Sequence, residues 1–135
     1  MVFQVVRLGT ARLPGEGTRI GTVRRPPRGV PKAQFAAQNW YDVWFPTLAP
    51  SAELMKIGQA AQVAGDPRSA WTTFVRKYRA EMAATEASHA IRLLATLSKT
   101  SNFSVGCYCV DAAHCHRSVL TALLTENGAQ IKARN

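Results

Sequence analysis

The chain has 135 residues, 47% of them hydrophobic, and a formal charge of +9 at pH 7. That length and apolar content suit one domain whose core needs no metal or disulfide staple, and no run approaches the roughly 20 apolar residues of a membrane span. Three cysteines, an odd number crowded into positions 107 to 115, argue against a secreted disulfide framework.

Val2 to Leu8 is β-branched and aromatic apart from Gln4, and Gly9-Thr10 closes it, so a first buried strand is expected there. A loop through Pro14-Gly15-Glu16-Gly17 follows. Arg19-Ile20-Gly21-Thr22-Val23-Arg24 reads as a second strand, weakened by its glycine. Arg25-Pro26-Pro27-Arg28-Gly29-Val30-Pro31-Lys32 is neither helix interior nor central strand, because its prolines remove donors and fix φ. It is expected to be an extended basic loop. A short helix is expected over Lys32 to Asn39, followed by the aromatic group Trp40, Tyr41, Trp44 and Phe45, either a stacking platform or a core edge.

Ser51 or Pro50 opens a helix whose first turn holds Glu53, and Gly58 or Gly65 is expected to end it. Asp66-Pro67 caps the next, where Trp71, Phe74, Val75, Tyr78 and Met82 recur at helical spacing. A third helix runs from about Glu86 to Leu97, with His89 as a polar surface residue. A short strand over Phe103 to Cys109, a polar loop, a helix through Val119 to Leu124 with Gly128 as C-cap, and an edge strand from Ala129 to Ala133 complete the chain. Strands first, helices in the middle and a β-loop-α-β ending define a single α/β domain over 1–135, a layered sandwich with a small, mostly parallel sheet flanked by helices.

Charge is uneven. Residues 1–32 hold Arg7, Arg12, Arg19, Arg24, Arg25, Arg28 and Lys32 against Glu16 alone, a net +6. Such a field favours an anionic small molecule or nucleic acid, unless it reflects solubility or the predominance of arginine over lysine in the whole chain. The start Met1-Val2-Phe3-Gln4-Val5-Val6-Arg7 lacks the order of a secretory signal, so the expected address is cytoplasmic, with no membrane partner. Oligomeric state is left open.

The chemistry concentrates at the strand-to-helix junction. On a strand Cys107 and Cys109 share a face, about 7 Å apart at Cα, and Cys115-His116-Arg117 arrives at a helix start, where free N–H groups favour an anion or a thiolate. In a parallel sheet the strand ends gather Arg7 to Thr10, Arg24 to Gly29 and Cys109 to Arg117 on one edge. The first expectation is a pocket for a phosphate-containing ligand, bound by Arg24, Arg28 and Arg117, with Cys107, Cys115 and His116 as catalytic candidates. The alternatives are a non-catalytic nucleic-acid-binding module using the basic first quarter, and a metal site from Cys107, Cys109, Cys115 and His114 or His116. No metal or other cofactor is assigned. A thiol-phosphatase loop does not fit, because seven residues separate Cys109 from Arg117 and one separates Cys115 from it. The last reading makes Cys107 and Cys109 buried strand residues and nothing more.

The run Cys107…Cys115-His116-Arg117-Ser118 resembles the closing motif of the family known as domain of unknown function 488. Arg24, Pro27, Arg28 and Gly29 are similar to a segment of its YeaO-like branch, as are Leu48-Ala49-Pro50-Ser51, Glu53-Leu54, Trp71, Phe74, Tyr78 and Glu81. The resemblance implies a small α/β domain whose basic and Cys-His-Arg segments are signature features, and it favours His116 within the motif. It implies no particular activity. Cys109 and Val23 stand where that resemblance leads one to expect acidic residues, which weakens a carboxylate-assisted or divalent-metal role.

Overall fold

The structure, a computed structural model, describes residues 2–63, 67–109 and 115–132, leaving aside the side chains of 60–63, 67 and 69. Gly65, the Asp66 cap, His114 and Ala133 lie outside the described residues. Among the described residues four strands form: β1 (Phe3–Arg7), β2 (Thr18–Gly21), β3 (Val43–Trp44) and β4 (Phe103–Cys107). The same residues hold the α-helices α1 (Ala52–Val63), α2 (Pro67–Met82), α3 (Thr85–Leu97) and α4 (His116–Glu126).

The sheet order is β1-β4-β2-β3 and every pairing is parallel. The latest strand in the chain therefore lies between the first two. Register places Val5 and Ile20 on either side of Val105, and Gln4 and Arg19 on either side of Ser104. Because strand side chains alternate, these two rungs present opposite faces. Phe3, Ile20, Phe103 and Val105 share one core with Leu54, Phe74, Tyr78, Met82, Ile91, Leu94, Leu120 and Leu124, so α1 to α4 all contribute to the same apolar layer.

The other face is polar yet buried, and the segment between β1 and β2 closes it. Gln4 Nε2 donates to the Pro14 carbonyl at 3.2 Å, and Ser104 Oγ donates to Glu16 at 2.7 Å. Arg19, with no exposed surface, pairs with the same carboxylate, Nε to Oε2 at 2.6 Å and Nη2 to Oε1 at 2.8 Å. Its remaining donors hold the carbonyls of Thr10, Ala11 and Asn39. A buried cation is tolerable here because all its donors are used.

Local differences from the sequence reading have physical reasons. Lys32–Gln34 is one 3₁₀ turn rather than a helix reaching Asn39. The glycine at 58 does not end α1 but lies within it, where the Phe74 ring packs so closely that a Cβ would stand 3.0 Å from it. Ser51 does cap α1, its Oγ accepting the Leu54 N–H at 3.2 Å. The final edge strand reduces to a single parallel bridge between Phe3 and Ile131. Among the described residues no helix is long and apolar enough to cross a membrane.

Candidate functional site

Parallel pairing carries the ends of β1, β2 and β4 to one edge of the sheet. After β1 the chain turns at Gly9, whose φ of +88° is a conformation glycine adopts freely, and the Trp40 ring lies over it. After β2, Arg25-Pro26-Pro27-Arg28 forms the facing wall. Tyr108 follows β4 and joins the two. Its Oη donates to the Arg25 carbonyl at 2.8 Å, its own carbonyl accepts from Arg7 Nε at 3.2 Å, and its ring meets Trp40 edge-on at 6.0 Å. Between these walls lies a cleft of 740 Å³ lined by Arg7, Leu8, Gly9, Thr10, Arg25 to Arg28, Trp40 and Tyr108.

The lining combines three arginines with a tryptophan and a tyrosine, and no acidic residue is among them. Burial, together with Tyr41 and Cys107 nearby, pushes the Tyr108 phenol up, so it stays a hydrogen-bond donor at neutral pH. Arginines of this kind are able to pair with negative charge, and aromatic rings to stack on a flat one.

Beside this edge lies a sulfur cluster. Cys107 ends β4, Cys109 stands just beyond the strand, and Cys115 is the N-cap of α4, in extended conformation and with no bond from its side chain to the helix amides. The three sulfurs lie within 4.8 Å of one another, Cys107 and Cys115 are 2.8 Å apart, and none is in a disulfide. Hydrogen bonds from Cys107 and then Cys109 hold the Cys115 thiol well below its ordinary value against the effect of burial, while Cys107 is pushed up by its bonds to Cys109 and Cys115.

His116 is buried at the first position of α4. Its Nε2 lies 2.8 Å from the Thr22 carbonyl and 3.1 Å from Thr22 Oγ1, which itself donates to the Gly106 carbonyl. A carbonyl can only accept, so Nε2 carries a proton and Nδ1 faces Cys115 Sγ at 3.6 Å. Arg117 is 2% exposed, and its Nη atoms donate to the carbonyls of Val6 and Cys109, each at 2.6 Å.

Of the residues singled out from sequence, Arg28 lines the cleft. Arg24 turns to the carbonyls of Ala49 and Pro50, and Arg117 ties β1 to the segment after β4 through its two Nη atoms, so both guanidinium groups are engaged by backbone carbonyls. Cys107 and Cys115 lie together in a small buried cluster with Leu8, Val23 and Tyr41, against which Trp40 and Tyr108 pack. Trp40 belongs to the aromatic group read as a stacking platform or a core edge, whereas Arg7, Arg25 and Tyr108 were not singled out as ligand-binding residues. The signal for the first two was their place at the carboxyl ends of parallel strands; for Tyr108 it was its place between two cysteines.

Fold and site together define a small, all-parallel α/β protein with a basic, aromatic cleft at the carboxyl edge of its sheet and a thiol cluster beside it. The chain belongs to the DUF488 family: the model of the active DUF488-N3 subclade matches residues 3–128. No match was found among curated proteins or among solved structures.

Proposed function

We propose that the protein binds a nucleotide-type ligand in the cleft, its phosphate held by Arg7, Arg25 and Arg28 and its flat ring set against Trp40 and Tyr108. The observation that carries the reading is that three arginines, a tryptophan and a tyrosine line one 740 Å³ cleft. Its position, outside the carboxyl ends of parallel strands, is where open α/β sheets take ligands. Its volume falls within the range of about 300–1,000 Å³ of small-molecule sites, which favours a mononucleotide over an extended polymer.

The proposal is one of binding. Cys107 and Cys115 are 2% and 3% exposed and do not line the cleft, so thiol chemistry on its ligand forms no part of the reading. The test is calorimetric titration of the full chain with adenosine monophosphate, adenosine and inorganic phosphate. Saturable binding of the monophosphate, weakened about tenfold or more in Arg25→Ala and Arg28→Ala, supports the proposal, since a charge-assisted contact contributes about 1.5–3 kcal/mol. A second reading rests on the basic first quarter: single-stranded nucleic acid bound with a steep salt dependence, and no mononucleotide binding, would replace the first.

A further inference from the structure

We infer that Cys107, Cys109 and Cys115 are the ligands of one thiophilic metal ion, zinc(II) or copper(I). Three sulfurs from two structural elements stand within 4.8 Å of one another. Zinc holds thiolates at about 2.3 Å, so two sulfurs on one tetrahedral ion lie about 3.8 Å apart, and Cys107 and Cys115 would part by about 1 Å to seat it. The 2.8 Å between Cys107 and Cys115 is shorter than the roughly 3.5–4.0 Å at which even carbon atoms rest in contact. Simple packing therefore does not account for the pair; so close an approach fits sulfurs that share a proton, and an ion replacing that proton would draw them apart. A disulfide would use two sulfurs and leave the third without a role, whereas one ion uses all three.

The surroundings suit an anionic metal-thiolate centre. Arg117 places a buried positive charge next to the cluster through its bond to the Cys109 carbonyl, and its Nε has no acceptor among the described residues. Cys115 sits at the N-terminus of α4, where the helix dipole is positive. Arg117 thus orients a ligand-bearing segment and balances charge, the part outer-shell groups play at metal sites. His116 lies outside the group of three sulfurs, its Nε2 held by Thr22 and its Nδ1 3.6 Å from Cys115 Sγ. Three soft thiolates select zinc(II) or copper(I) over harder ions; copper(I) is satisfied by three, and zinc adds one exogenous ligand. Cys109, the half-buried member, is the side from which an ion enters.

The test uses the full chain, purified with reductant and without chelator. Elemental analysis is followed by titration of metal-free protein with cobalt(II), a spectroscopic stand-in for zinc, and separately with copper(I). Binding of about one ion per chain with thiolate-to-metal charge-transfer absorption is expected. Copper(I) binding without a cobalt band would identify copper, and a tetrahedral cobalt spectrum would identify zinc. Cys109→Ser, at the half-buried position, should stay folded by circular dichroism and bind at least about a hundredfold more weakly. Absence of a charge-transfer band with either metal in fully reduced protein, undiminished binding by Cys109→Ser, or a Cys107–Cys115 disulfide in the protein as purified would each overturn the inference.

Discussion

Tyr108 Oη donates to the Arg25 carbonyl at 2.8 Å, closing the proline loop after β2 onto the end of β4. The bond fixes the cleft wall on which Arg25 and Arg28 sit. A single exposed hydrogen bond contributes about 0.5–1.5 kcal/mol net. Tyr108→Phe should therefore weaken nucleotide binding about three- to tenfold with little change in thermal midpoint, read by titration and by thermal unfolding of the same samples.

Arg24 and Arg25 are neighbours in sequence with opposite assignments. Arg24 donates to the carbonyls of Ala49 and Pro50, whereas Arg25 lines the cleft. Arg24→Ala should cost about 1 kcal/mol of stability and leave nucleotide affinity within about twofold, while Arg25→Ala should do the reverse. Denaturant unfolding paired with calorimetry checks both. Equal losses of affinity would indicate that only the net charge of the segment matters.

Gly9 tests the shape of the cleft. Its φ of +88° disfavours any Cβ, and a Cβ there would stand 2.9 Å from the Trp40 ring. Gly9→Ala should strain the turn by about 1–2 kcal/mol and displace Trp40, lowering both stability and ligand affinity, and a shift of tryptophan emission should accompany the loss.

The buried pair Glu16–Arg19 sets an acid limit on the fold. Burial alone would raise the Glu16 carboxyl, but the Arg19 guanidinium, the Leu13 amide and the Ser104 hydroxyl more than offset it and hold it at about 2. A carboxylate depressed in the folded state contributes stability that is fully present above its unfolded value of 4.5 and is lost as pH falls from there through about 2. The shift corresponds to about 3 kcal/mol. Urea unfolding should show that loss between pH 5 and pH 2, each an approximate bound. Glu16→Gln should flatten the slope while destabilising the protein at neutral pH by about 3 kcal/mol, because it leaves the Arg19 charge buried and unpaired.

Much of the fold was legible because its signals are local. The β-branched runs around Val5 and Val105, the spacing of Phe74, Tyr78 and Met82, and the Ser51 cap each follow from nearest-neighbour physics and lie where expected. Gln4 looked like an interruption because its partner, the Pro14 carbonyl, belongs to a loop that closes the second sheet face. Gly58 looked like a terminator because the Phe74 ring that needs its space lies on another helix. The strand pattern put Cys107 and Cys109 on one side, but the return of Cys115 to within 2.8 Å of Cys107 depends on how α4 docks. Likewise no periodicity runs through Arg24-Arg25-Pro26-Pro27-Arg28, so the segment could be placed at the sheet edge while the direction of each guanidinium could not.

The most direct measurement of the cleft is a two-dimensional nuclear magnetic resonance titration of the labelled full chain with adenosine monophosphate. The account predicts the largest shift changes at the Trp40 indole N–H and at the amides of Gly9, Thr10, Arg25, Arg28 and Tyr108, saturating together and absent in Arg28→Ala. Changes centred on other residues, or none at saturating monophosphate, would contradict it.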